Sequence, residues 1–141
     1  MGITVEREFI RPNLVVLEFA WREEPLAAGA VKREEYTYEP TKEITVYGFA
    51  FELIKKGPST KGACLGEITD PSALAHPIEF EDHWDRDGAV YRSHWVIFPP
   101  DWRPKWGPDH PMVVTMEMRN DDSSNQCDEC FLELKLLIKE A

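Results

Sequence analysis

The chain has 141 residues, 43% hydrophobic and 30% charged, the balance of one globular domain large enough to bury a core without staples. A net charge of −10 sets most of the surface against a phosphate backbone, so nucleic acid is not an expected partner. No apolar run reaches the roughly 18–20 residues that span a bilayer, and three cysteines are too few for a disulfide framework.

The first residues, Met1-Gly2-Ile3-Thr4-Val5-Glu6-Arg7, hold no basic region followed by an apolar core. Glu6 also stands where a myristoylation signal needs Ser or Thr. We therefore expect a cytoplasmic or otherwise intracellular protein with residues 1–141 forming one domain. Ile3, Val5 and Phe9 alternate with Glu6 and Glu8 in a first strand, which Pro12-Asn13 ends. Val15, Leu17, Phe19 and Trp21 line one face of a second strand, the period-two signature of a half-buried sheet. Residues 23–29 make a loop punctuated by Pro25 and Gly29. Residues 31–38, with Lys32-Arg33-Glu34-Glu35, suit an edge strand, where charge discourages pairing with other chains.

Residues 44–54 form the longest strand candidate, with Tyr47, Phe49, Phe51 and Leu53 on one face. Gly48 and Ala50 leave the other face thin enough for a backbone or bulky side chain to approach. Residues 55–62 form a basic loop with the composition of a phosphate-binding loop but not its order. Pro58 removes a donor, and no helix pattern follows. Residues 63–68 make a short strand, and Asp70-Pro71 caps one helical turn over 70–75.

Residues 76–111 concentrate the unusual chemistry: all four histidines, four of the five tryptophans and many of the prolines. Asp87-Gly88 suits the two central positions of a type I′ turn, which predicts a hairpin with Ile78 opposite Ile97, Phe80 opposite Trp95 and Trp84 opposite Tyr91. The other face then pairs Glu81 with His94 and His83 with Arg92. Beyond it, five prolines in residues 99–111 stiffen a loop carrying Trp102, Arg103 and Trp106. Residues 112–118 and 130–138 close the chain as two alternating strands, joined by the polar stretch 120–129.

Eight or nine strands with almost no helix predict an all-β fold of two packed antiparallel sheets. The expected form is a jelly-roll or immunoglobulin-like β-sandwich, with a closed barrel as second choice.

Three groups of residues carry candidate chemistry. Glu81, His83 and His94 on the outer face of the hairpin offer two imidazoles and a carboxylate for a divalent metal, the expected site of any metal-dependent enzyme activity. The competing reading is a solvated face with cross-strand ion pairs. Cys127-Asp128-Glu129-Cys130 is a CxxC motif without a second ligand pair, and its two carboxylates oppose thiolate formation, so buried cysteines are the simpler expectation. The acidic stretch 121–129 has oxygen ligands for calcium without the EF-hand spacing. No cofactor is otherwise expected, and no nucleophile motif such as Gly-x-Ser-x-Gly occurs.

Trp102, Trp106 and Arg103 on the rigid loop, with Trp84, are the expected contact residues, because indoles anchor binding surfaces. The leading functional expectation is a non-enzymatic structural or interaction protein that self-associates or docks into a larger protein assembly, such as a capsid-decorating or tail component of a virion. The alternative is a carbohydrate-binding module with sugar stacked on the same tryptophans.

Overall fold

The computed structural model describes residues 2–69 and 78–141, so the helical turn expected over 70–75 lies outside the described residues. Among the described residues, eleven strands fall in two antiparallel sheets, with one 3-10 turn at Pro100–Trp102. The first sheet contains β1 (Thr4–Arg11), β2 (Leu14–Glu23), β11 (Glu129–Glu140), β4 (Ile44–Lys56) and β7 (Ala89–Arg92), in that order. Two short strands, β8 (Val96–Ile97) and β9 (Lys105–Trp106), continue its edge along β4. The second sheet runs β3 (Val31–Tyr38), β10 (Met112–Asn120), β5 (Gly62–Ile68), β6 (Ile78–Trp84).

The registers are nested. Gly62 faces Trp84, Glu52 faces Arg92, Tyr38 faces Met112, and Glu23 faces Cys130. Leaving β1 aside, the chain is one long antiparallel hairpin centred on the link between β5 and β6 and rolled into a sandwich. That is the strand order of a jelly roll.

Period-two alternation supplies the core. Val15, Leu17, Phe19 and Trp21 of β2 and Cys130, Leu132, Leu134, Leu136 and Ile138 of β11 project inward from the first sheet. Met112, Val114, Met116 and Met118 of β10 meet them from the second. Aromatic contacts bridge the sheets: Phe51 stacks on Phe80 at 4.6 Å, and Phe19 packs edge-on against Tyr36 and Tyr38 at 6.1 Å. Each fully buried side chain of this kind contributes about 1.5–3 kcal/mol of transfer free energy.

Gly66 makes room for the Phe80 ring, which would overlap a Cβ there. At Gly48, where a thin face was expected, the backbone of Val96 and the side chain of Ile97 approach too closely for any Cβ.

The hairpin expected around Asp87-Gly88 does not form. β6 pairs with β5 and β7 pairs with β4, so residues 85–88 carry the chain from one sheet to the other. Gly88 does adopt a left-handed φ of 69°, but Asp87 does not, so the type I′ turn is absent along with the strand pairing. Lys55 helps fix the crossing, since its ammonium donates to the Arg86 carbonyl at 3.0 Å. Likewise β10 and β11 are not a hairpin: residues 121–128 cross between sheets. The loop expected from residue 55 is also corrected, because β4 runs on to Lys56 and Lys55 is fully buried.

Candidate interaction surface

The edge of the first sheet beyond β4 is broken into three pieces, and the breaks have local causes. β7 ends at Arg92, where Ser93 turns its hydroxyl to accept the Phe51 amide at 2.8 Å and donates its own amide to the Phe51 carbonyl. Two residues then bulge before β8 pairs with Phe49 and Gly48. Phe98 donates to the Tyr47 carbonyl, after which Pro99 and Pro100 lead into the 3-10 turn. The Pro104 carbonyl accepts from Val46, and β9 pairs with Ile44 and Thr45. Short, interrupted strands make a poor template for adding a foreign strand.

This edge carries five of the eight large hydrophobic side chains exposed among the described residues. Val90, Trp95, Val96, Ile97 and Trp102 are 53%, 42%, 46%, 58% and 52% exposed, whereas only Phe9, Ile10 and Val31 are comparably open elsewhere. Val90 lies opposite Ile54 on the outer face, and Ile97 lies opposite Gly48. Trp95 walls a shallow cavity of about 130 Å³ floored by Ala50 and flanked by Glu52, Arg92 and Lys135. Glu52 and Arg92 are themselves ion-paired.

The sequence-derived contact residues separate into two groups. Trp102 is on the surface. Arg103 lays its guanidinium over the Tyr47 ring at 4.0 Å, and its buried Nε has no hydrogen-bond partner among the described residues. Trp106 and Trp84 are corrections: both are about 2% exposed and belong to the core. Trp106 follows from β9, whose pairing opposite Ile44 turns the indole inward. Trp84 closes the other sheet, its Nε1 donating to Ser59 Oγ at 3.1 Å. Trp95 and Ile97, expected on the buried face of the hairpin, are instead exposed, and composition alone gave no signal for the exchange.

The metal site is not assembled. His83 Nε2 and Glu81 Oε1 form an exposed pair at 3.2 Å on β6, but His94 lies between β7 and β8 on the other sheet. Without the hairpin there is no register that brings His94 opposite Glu81. Among the described residues no group of three His, Cys, Asp or Glu side chains is placed to hold a metal ion. The Asp122 carboxylate accepts from the amides of Ser124, Asn125 and Thr60, so its oxygens are committed to bracing the loop.

The far end of the sandwich holds a buried polar network. Lys55 Nζ donates to the carbonyls of Gly57 at 2.6 Å, Arg86 and Ser59. Ser59 Oγ donates to Asn120 Oδ1 at 2.7 Å, and Asn120 Nδ2 donates to the carbonyls of Leu26, Ala27 and Asn125. Cys64, Cys127 and Cys130 are all free and buried beside it. Burial pushes the Cys127 thiol up to about 11, which leaves it a protonated core residue at neutral pH.

No protein-family model matches the chain. No curated protein matches it either. Among solved structures it is similar to one described as "CBM4 structure and function", at 10% identity and a TM-score of 0.29, covering 99% of this chain and 78% of that one. It is also similar to the decameric BFDV capsid protein, at 8% identity and a TM-score of 0.36, covering 91% and 99%. A third is the extra small virus (XSV) particle of the prawn Macrobrachium rosenbergii, at 10% identity and a TM-score of 0.33, covering 82% and 79%. The class of the chain, an all-β jelly-roll sandwich, rests on its own strand order. No helix among the described residues is long and apolar enough to cross a membrane.

Proposed function

We propose that this protein is a non-enzymatic structural subunit that associates with further copies of itself through the β7–β9 edge, in an assembly of the kind that builds or decorates a virion. The observation that carries the reading is the clustering of five large exposed apolar side chains within residues 90–102. Exposed apolar side chains grouped along one edge are costly to leave in water and mark contact sites.

Charge supports a second copy as the occupant. Residues 89–106 carry Arg92, Arg103 and Lys105 against Asp101; Arg92 is ion-paired with Glu52 and Lys105 with Glu43, so the edge is close to neutral while the whole chain stands at −10. A near-neutral edge on an acidic molecule is the face that meets the acidic remainder of a neighbour with least repulsion, a head-to-tail contact of the sort that closes rings and shells. The test is the solution mass of wild type against Val90→Lys/Ile97→Lys and Trp102→Ala variants, with circular dichroism to confirm folding. Oligomeric wild type and folded, smaller variants support the reading; a wild type that is monomeric at all concentrations refutes it.

A second reading, carbohydrate binding, is favoured by one feature, the exposed Trp95 indole beside the Glu52–Arg92 pair. An aromatic face next to fixed polar groups suits a pyranose ring. Calorimetric titration with cellohexaose, xylohexaose and chitohexaose at millimolar concentration tests it. Binding lost in Trp95→Ala sustains that reading, and no heat from any of the three removes it.

A further inference from the structure

Cys64 sits in β5 of the second sheet and Cys130 at the start of β11 in the first, with their sulfurs 3.7 Å apart across the core. Both are fully buried. Their registers hold them in place from both sides: Cys64 lies between Met118 and Asp82, and Cys130 between Glu23 and Lys55. The third thiol has anchors of its own. Cys127 is fastened by a two-way backbone bridge with Leu26, and its side chain is hydrogen-bonded to Ser59. A disulfide needs sulfurs at about 2.05 Å. The two sulfurs are already in van der Waals contact, so the approach still to be made is under about 2 Å.

We propose that Cys64 and Cys130 form a latent covalent cross-link between the two sheets, closed by an oxidant of the peroxide class. One thiol loses its proton to water, and the thiolate attacks a peroxide oxygen. The O–O bond breaks, leaving a sulfenic acid on sulfur and a hydroxide that takes up a proton to become water. The second thiol then attacks the sulfenic sulfur, the S–O bond breaks, and the second water leaves as the S–S bond forms. Two electrons pass from the sulfurs to the peroxide, and both thiol protons end in water.

Burial, and then the contact with Cys130, keeps the Cys64 thiol protonated, so the closed sandwich reacts slowly. Reaction follows local opening at the end where Cys130 is the second residue of β11, beside the 121–128 crossing. The bond joins residues 66 positions apart and so constrains the unfolded chain strongly. A subunit assembled in a reducing compartment and later exposed to oxidant would thereby gain a locked core.

The test is prolonged incubation of the native protein with hydrogen peroxide in urea below the unfolding transition. Denaturing alkylation and peptide mapping follow. Alkylatable thiols are expected to fall from three to one, with a Cys64–Cys130 peptide and a raised Tm. The same peptide forms in Cys127→Ala, and both remaining thiols persist in Cys64→Ala. Retention of all three thiols in wild type overturns the proposal. So does a Cys127–Cys130 linkage, or sulfinic acid on unlinked cysteines.

Discussion

Lys55 is a buried ammonium whose partners are three carbonyl oxygens, with no carboxylate pairing with it among the described residues. Those carbonyls belong to the β4–β5 connection and to the 85–88 crossing, so one side chain ties together two loops that join opposite sheets. Lys55→Met keeps the aliphatic stem and removes every donor, stranding the carbonyls. We expect a loss of about 2–4 kcal/mol in urea unfolding, against near-neutrality if water fills the gap. Asp122 acts at the same end through the opposite charge. Amides of Ser124 and Thr60 hold its carboxyl well below the usual range. A depressed folded-state value means that its stabilisation is complete above the ordinary aspartate range and is lost as pH falls through the folded value. Asp122→Asn is therefore expected to have a lower Tm than wild type at neutral pH, with the gap closing as pH falls below the ordinary aspartate range. A gap independent of pH would remove the carboxylate from the account.

At the scale of elements, two glycines separate packing from backbone preference. Gly62 begins β5 beneath the Trp84 ring and the Arg119 carbonyl, and a Cβ there would overlap both. Gly88 has open space around it but a φ of 69°. Gly62→Ala is expected to cost at least about 3 kcal/mol, because neither the indole nor the backbone can retreat. Gly88→Ala is expected to cost only about 1 kcal/mol, the left-handed penalty alone. Equal losses in denaturant titrations would contradict this division. The same contrast explains what was legible in the sequence. The alternating runs of β2, β10 and β11 named their inward residues correctly, and the charged run of β3 marked an edge. Alternation reports which face is dry, and in a sandwich both sheets turn a dry face inward. Ile78, Phe80 and Trp84 satisfy it from one sheet, Ala89 and Tyr91 from the other, so a hairpin and a crossing look alike from one chain. Of the expected contact residues, Trp102 is exposed, as its proline-rich loop setting suggested. The burial of Trp106 and exposure of Trp95 depend on pairing with β4, which no local pattern records.

At the scale of the molecule, nested pairing places the middle of the chain on one side of the sandwich and both ends together on the other. Arg7 pairs with Glu140, and Glu140 donates its amide to the Asn13 carbonyl. The broken β7–β9 edge stands apart from that joined end in character: short strands, exposed apolar side chains and cations already paired with Glu52 and Glu43. A contact that joins this edge to a neighbour draws on burial, against a net repulsion between two acidic molecules that salt screens. The most direct measurement is therefore the molar mass of the native protein by light scattering after size exclusion, over a concentration series at low and high salt. We predict an oligomer whose population rises with concentration and persists at high salt, and a folded species of lower mass for Val90→Lys/Ile97→Lys. A wild-type protein of monomer mass throughout, or a variant that assembles as wild type does, would contradict the account.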